Sequence, residues 1–361
     1  MSFLSGRLSA LLIVIPAVLF LLAGCQKYEP EENFTVTPNG DKTTITGYKG
    51  DAMELNIPPR IGKRTVTEIE KFAFKDCTGL TSVNIPDTVT KIGPGAFSGC
   101  TGLTQITIPN SVTAIGGDAF KDCTGLTKVD IPDSVTKIGY GAFSGCTGLT
   151  SINIPSSVTN IGGDAFSDYT DPCQEVIVFF PDTVTKIGLG AFSGCTGLTQ
   201  ITIPNSVTKI GPGAFSGCTG LTKVDIPDGV TKIDMSTFSG CTRLASVNIP
   251  GSVKEIGEEA FQGCTSLTSV NIPGSVTKIG YGAFSGCTGL TSVNIPKGVT
   301  KIGSSAFKDC EGLTSVNIPN SVTEIDNWAF RGCTNLRRVS VPKGADVAYD
   351  AFPKTTKVER Y

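Results

Sequence analysis

The sequence predicts a repeat solenoid, a fold in which short coils of chain stack into one superhelix. A phenylalanine returns every 23 residues from Phe74 to Phe330, except at the step from Phe166 to Phe192, which is 26 residues long. A fixed period of roughly 20–50 residues indicates stacked repeats. We therefore expect a right-handed superhelix of about 12 coils of 23 residues. A parallel β-sheet should form its concave face, and mostly irregular, short turns its convex side.

Each coil is predicted to contribute one short strand. Val83 and Ile85 alternate with the polar Ser82 and Asn84, which is the period of a strand that buries one face. A proline such as Pro86 follows in each coil and ends the strand, because it cannot donate a hydrogen bond to the ladder. Together with the preceding leucine, the strand reads Leu-x-x-Val-x-Ile, a pattern typical of leucine-rich repeats.

The return half of each coil is predicted to point its apolar residues inward as well. In the first full coil these are Val89, Ile92, Ala96 and Phe97, and glycines lie at the bends between them. One coil cannot bury these side chains alone. Stacking coils about 4.8 Å apart joins them into one continuous core.

The repeat also carries a family resemblance. Residues 190–211 read Gly-Ala-Phe-Ser-Gly-Cys-Thr-Gly-Leu-Thr-Gln-Ile-Thr-Ile-Pro-Asn-Ser-Val-Thr-Lys-Ile-Gly, and close variants recur along the chain. This pattern resembles the BspA-like, or Treponema pallidum type, leucine-rich repeat over about 270 of the 361 residues. Because that family includes surface adhesins, the resemblance implies a non-enzymatic cell-surface lipoprotein. Such a protein would mediate adhesion or recognition through the concave face.

Residues 1–24 are predicted to be a secretory signal peptide. Arg7 precedes an apolar run from Leu8 to Leu22, and two small residues then lead to Cys25. The segment Leu-Ala-Gly-Cys resembles the bacterial lipobox, which implies that Cys25 is lipidated and becomes the mature N-terminus. A membrane-spanning anchor is the alternative, although the apolar run is short for a span.

Residues 25–33 are predicted to be the lipidated cysteine and a tether. The stretch 26–32 is polar and acidic, and it resembles the signal that sends lipoproteins of Bacteroidetes-type bacteria to the outer face of the cell. A plain solvated linker is the alternative. The predicted location is the bacterial cell envelope, lipid-anchored in the outer membrane and exposed at the surface. Residues 34–71 and 342–361 are predicted to cap the ends of a leucine-rich repeat array at 72–341.

In stacked coils, the residues at one position of the repeat line up in a column along the solenoid. Two such columns allow more than one interpretation. One holds eleven cysteines, which we interpret as buried free thiols because each has two equivalent neighbours and Tyr169 occupies one such position. Disulfides and a metal array are the alternatives, but the chain has no histidine.

The other column holds lysines such as Lys91 and Lys137. We expect Asp87 and Asp133, four residues earlier, to neutralise them in part, and an anion-binding stripe is the alternative.

One coil departs from the pattern. Residues 167–181 contain three extra residues and replace the usual strand sequence. Counting back from the proline that ends this segment places Val178 and Phe180 towards the core and Ile177 and Phe179 outward. Those two residues would be the one large apolar pair on an otherwise hydrophilic sheet. An exposed apolar cluster with a polar rim often marks a binding site.

We therefore predict a contact patch for a protein or a glycan at this coil. Two alternatives are that the longer loop folds back over the patch and that a bulge shifts the register by one residue.

A second variable column lies at the rim or convex side and is either a binding edge or a set of unrelated surface residues. It consists of Tyr140, Leu189, Met235, Tyr281 and Trp328. The predicted binding residues are Tyr169, Ile177, Phe179, Ser151, Asn153, Gln200 and Thr202.

The composition argues against other classes of function. A net charge of −2 gives no general attraction to nucleic acid. Without histidine, a general base would require a carboxylate or lysine in a distinctive pocket, and no phosphate-binding or catalytic motif is present. We expect no enzyme activity and no cofactor. The predicted partner is an extracellular protein, either host matrix or another bacterial surface protein, or a glycan. A passive spacer lipoprotein and a glycan-capture component of nutrient uptake are the alternative functions.

Overall fold

The computed structural model describes residues 27–169 and 176–361. The predicted signal peptide (residues 1–24), the predicted lipidation site Cys25 and residues 170–175 of the irregular coil lie outside these residues. Within them the chain forms a parallel-strand solenoid of about 14 turns with a repeat of about 23 residues and almost no helix. The predicted fold class is therefore confirmed.

Sheet 1 contains the strand that the sequence predicts in each coil. It extends along the solenoid in three hydrogen-bonded segments of nine, three and two strands. Within a segment, neighbouring strands pair in parallel and are offset by one repeat, so that Ser82 lies opposite Gln105. Strands from both end regions join the sheet and raise the number of coils above the expected 12: Glu54–Asn56 pairs with the first repeat and Lys357–Arg360 with the last. The fourteen strands of sheet 1 among the described residues are Glu54–Asn56, Ser82–Asn84, Gln105–Thr107, Lys128–Asp130, Ser151–Asn153, Val176–Phe179, Leu198–Ile201, Lys223–Asp225, Ser246–Asn248, Ser269–Val270, Ser292–Asn294, Ser315–Asn317, Arg338–Val341 and Lys357–Arg360.

Sheet 2, on the return half of the coils, was not predicted. Most of its strands are two residues long, with the first side chain facing solvent and the second buried, and Ile92 lies opposite Ile115. A glycine usually follows, because the coils approach closely there: a Cβ on Gly139 would come within 2.5 Å of the Gly117 nitrogen. The short strands of sheet 2 form two hydrogen-bonded segments. The first consists of Lys91–Ile92, Ala114–Ile115, Lys137–Ile138, Asn160–Ile161, Lys186–Ile187 and Lys209–Ile210, and the second of Lys232–Ile233, Glu255–Ile256, Lys278–Ile279, Lys301–Ile302, Glu324–Ile325 and Asp346–Val347.

The turns between the sheets are also hydrogen-bonded from coil to coil. The Phe97 N–H donates to the Ala119 carbonyl at 2.8 Å, and the Gly99 N–H donates to the Lys121 carbonyl at 2.8 Å. These turns need left-handed backbone, which Gly99 adopts at φ 76°. Glycine reaches this region without steric cost. Successive coils are therefore fastened by backbone hydrogen bonds on the turn side as well as in the two sheets.

A continuous stack of phenylalanine rings fills the core. Neighbouring rings from Phe74 to Phe352 lie 4.9–5.6 Å apart between centroids and within 15° of parallel. The stack crosses the 26-residue step unbroken, since the Phe166 and Phe192 rings are 5.5 Å apart. The three extra residues therefore leave the position of the phenylalanine in the core unchanged.

The N-terminal region covers the first end of this stack. A 3-10 turn at Glu31–Asn33 leads into an antiparallel hairpin of Phe34–Asn39 and Lys42–Tyr48, and Arg60–Ile61 pairs antiparallel with Arg64–Ile69. The Tyr48 ring packs 5.4 Å from the Phe74 ring, so an aromatic side chain of the hairpin closes the stack.

The cysteine column consists of free thiols, as predicted. All eleven of its cysteines are unbridged, and all but the half-buried Cys77 are buried. The Cys100 thiol donates a hydrogen bond to the Phe74 carbonyl at 3.1 Å, and the contact repeats in later coils. Burial raises the pKa of Cys241 to about 12. The buried thiols of this column act as small core residues.

Candidate functional site

The outward face of sheet 1 is polar along most of the described solenoid. Its exposed side chains interact with one another: Lys128 pairs with Asp130 at 2.9 Å and Lys223 with Asp225 at 2.8 Å. Exposed ion pairs of this kind contribute little to stability. The face is therefore a hydrated surface on which a large exposed apolar side chain stands out.

The irregular coil supplies such a side chain. In its strand, Val176–Phe179, the backbone of Val178 lies opposite Ile152 and that of Phe179 lies opposite Asn153. Val178 is buried, whereas Phe179 is 57% exposed. Phe180 turns inward and packs edge-on against Phe192, with ring centroids 5.6 Å apart. The orientations predicted for these three residues are confirmed.

The other predicted member of the apolar pair is only partly described. The backbone of Ile177 lies in the strand opposite Ser151, while its side chain lies outside the described atoms. A bulge does occur here: Val176 pairs with Leu198 and Val178 with Ile201, so the next strand contains an extra residue. The bulge lies between this strand and the next and does not turn Phe179 inward.

Phe179 borders a small groove. The groove has a volume of about 280 Å³, and its lining includes Phe179, Phe180, Gln200 and Thr202. Gln200 and Thr202 are exposed, and Asn153 is exposed on the neighbouring strand on the other side. One apolar ring thus lies among amide and hydroxyl groups that can donate and accept hydrogen bonds. Four of the predicted binding residues meet at this place.

The prediction that Tyr169 contributes to the surface is wrong. Its side chain is 1% exposed, and it is one of the largest fully buried side chains in the described structure. It occupies the cysteine column, so the position in the coil directs it inward despite its hydroxyl. The hydroxyl has no hydrogen-bond partner among the described residues. Burial raises its pKa well above the usual value. Tyr169 therefore fills core space and is inaccessible to a partner.

Part of the lysine column is neutralised, by residues other than those expected. Lys278 pairs with Glu255 of the preceding coil at 2.8 Å, and Lys301 pairs with Glu324 of the following coil at 2.8 Å. The expected aspartates four residues earlier, such as Asp87, make no ion pair within 4.0 Å in the described structure. The reason is register: the neighbour one coil away in sheet 2 is only about 4.8 Å distant. Neutralisation therefore depends on which residue occupies the adjacent coil.

The described residues contain no helix long and apolar enough to cross a bilayer. They also contain no group of three or more His, Cys, Asp or Glu placed to hold a metal ion.

The sequence matches a known family along most of its length. A model of the BspA type leucine-rich repeat region matches six copies, over residues 67–177, 172–287 and 254–360. No curated protein matches the chain.

Solved structures agree with the family match. A leucine-rich cell surface protein from Faecalibacterium prausnitzii A2-165 is 32% identical, with 92% of this chain and 94% of that one covered and a TM-score of 0.60. A leucine-rich repeat protein from Bacteroides ovatus is 31% identical, with coverage of 91% and 98% and a TM-score of 0.60. The pneumococcal vaccine antigen PcpA, at 20% identity and a TM-score of 0.57, shares the fold, with 91% of this chain and 96% of that one covered.

Proteins of this type are typically found at the bacterial cell surface. Their solenoids are protein-interaction modules and are generally not enzymes. From its repeats, its fold and these matches, we conclude that the chain belongs to the family of proteins with BspA-type leucine-rich repeats.

Proposed function

We propose that this protein is a lipid-anchored adhesin that binds an extracellular protein through sheet 1 at the irregular coil. The observation that supports this most is the exposed Phe179 ring on a face that is otherwise polar. A folded monomer gains nothing from leaving such a ring in water. Aromatic side chains surrounded by polar groups are typical anchors of protein interfaces.

The surroundings of Phe179 suit a protein partner. Burying an exposed phenylalanine contributes about 1.5–3 kcal/mol. Asn153, Gln200 and Thr202 lie around the ring and offer hydrogen bonds to a partner's backbone and polar side chains. The strand that carries Phe179 is held from both sides by sheet 1, so little conformational entropy is lost on binding.

Replacing Phe179 with serine tests this proposal. We expect the variant to fold, because the side chain is exposed, and to bind its partner about 2 kcal/mol more weakly, roughly thirtyfold in Kd. The purified protein is titrated against individually immobilised extracellular-matrix proteins. Met235→Ser is the matched control, since Met235 is 50% exposed but lies on a turn away from sheet 1. Equal Kd values for Phe179→Ser and the unaltered protein would reject the site. Absence of binding to every matrix protein would favour a spacer role.

The anchor is the second part of the proposal. The segment Leu-Ala-Gly-Cys that ends at Cys25 supports lipidation, and the polar, acidic stretch 26–32 supports export to the outer face of the cell. Several acyl chains on one cysteine would hold the protein firmly, at about 0.8 kcal/mol for each buried CH₂. We expect cells fed a labelled fatty acid to label the protein and Cys25→Ser to abolish the label. Persistent labelling of that variant would exclude Cys25 as the lipidated residue.

A further inference from the structure

A second groove lies along sheet 2 and the adjoining turns, away from the surface proposed for protein binding. It has a volume of about 750 Å³. Tyr140 and Leu189 project on either side of it from two coils, and the coil between them carries Gly162 and Gly163. Both flanking side chains are more than half exposed. The missing side chains of the middle coil thus leave an open channel between an aromatic and an aliphatic wall.

The aromatic wall is held in one orientation. A Cβ on Gly163 would lie 3.2 Å from the Tyr140 ring, so that ring packs directly on the glycine backbone. The Asp164 carboxylate lies near the Tyr140 hydroxyl and raises the pKa of Tyr140. Packed on the glycine backbone and 58% exposed, the ring presents a flat apolar surface to solvent.

Unpaired positive charge lines the same groove. In sheet 2, Asn160 lies between Lys137 and Lys186, and Lys209 follows Lys186 in register. At about 4.8 Å for each strand, Lys137 and Lys186 are roughly 10 Å apart. None of these three lysines makes an ion pair within the described structure, whereas Lys278 and Lys301 in the same column do. An anionic ligand would supply to these lysines the negative charge that Glu255 and Glu324 supply to Lys278 and Lys301.

The remaining lining consists of small polar groups. Thr136, Thr159 and Asn160 are exposed along the groove and present hydroxyl and amide groups. A planar aromatic surface stacks well on the C–H face of a sugar ring, and hydroxyl and amide groups suit a ligand rich in hydroxyls. An acidic peptide would satisfy the lysines but would make less use of the fixed ring and this polar lining.

From these features we propose that the groove between Tyr140 and Leu189 binds a carboxylated polysaccharide. One sugar ring stacks on Tyr140, and uronate carboxylates pair with Lys137 and Lys186. Each contact is modest, so affinity increases with chain length as successive sugars pass along the lysines. The site is separate from Phe179 and does not depend on the protein-binding role.

Titration with polygalacturonate tests this proposal. We expect saturable binding that weakens with added salt and is absent for the methyl-esterified polymer, which has the same backbone without its charges. Tyr140→Ala and the double variant Lys137→Gln/Lys186→Gln should each weaken binding about tenfold or more. Tyr281→Ala, which removes an exposed aromatic residue of the same column, and Phe179→Ser should leave it unchanged. All these side chains are on the surface, and circular dichroism checks that the variants fold.

Three results would overturn the proposal. The first is that the unaltered protein does not bind polygalacturonate. The second is that binding is unchanged in both groove variants. The third is that poly-L-glutamate binds as tightly as polygalacturonate and depends on the same lysines, which would make the groove a site for acidic peptides.

Discussion

Replacing Phe215 with alanine is expected to lower the free energy of unfolding by about 3–5 kcal/mol. The side chain is 0% exposed and lies between the Phe192 and Phe238 rings, at centroid distances of 5.6 and 5.5 Å. Removing it leaves a cavity and deletes two ring contacts. Because each coil in a solenoid touches only its neighbours, no other part of the core compensates for the loss.

Urea denaturation followed by circular dichroism measures this effect. Met235→Ala is the control, because it truncates a half-exposed side chain in the next coil and should change stability by no more than about 0.5 kcal/mol. If Phe215→Ala were as stable as this control, the phenylalanine stack would not be the main support of the core.

Much of the fold follows from the repeat in the sequence. The alternation at Ser82–Asn84 predicts sheet 1, and the 23-residue phenylalanine spacing predicts a stacked core. Sheet 2 was missed because strands such as Lys91–Ile92 are too short to show a period of two. The hydrogen bonds along the turns were missed for a related reason: they join residues one coil apart and leave no local pattern.

The candidate sites were predictable to different degrees. Counting back from a strand-ending proline gave the correct directions for Val178 and Phe179, because alternation is fixed within a strand. The same position-based reasoning places Tyr169 in the core with the cysteines, so assigning it to the surface patch contradicted its place in the repeat. The sheet 2 groove depends on register between coils, which sets Lys137 and Lys186 on either side of Asn160. No single repeat contains that information.

Replacing the irregular coil with a regular one is expected to abolish partner binding while preserving the fold. Residues 167–181 would be exchanged for the sequence of residues 144–155, Ser-Gly-Cys-Thr-Gly-Leu-Thr-Ser-Ile-Asn-Ile-Pro, which restores the 23-residue step. The exchange removes Phe179 and the three extra residues. It also puts a cysteine in place of Tyr169, whose buried hydroxyl has no hydrogen-bond partner among the described residues. An unpaired buried polar group costs about 1–3 kcal/mol, so the regularised protein should be at least as stable as the natural one.

The most direct test of the recognition site is the Kd of this regularised protein for the matrix protein that the natural chain binds. We expect an intact solenoid by circular dichroism, unchanged polygalacturonate binding, and matrix-protein affinity reduced at least as much as by Phe179→Ser. A regularised protein that bound the matrix protein with the natural affinity would show that recognition belongs to the regular repeats, contradicting the assignment of specificity to the irregular coil.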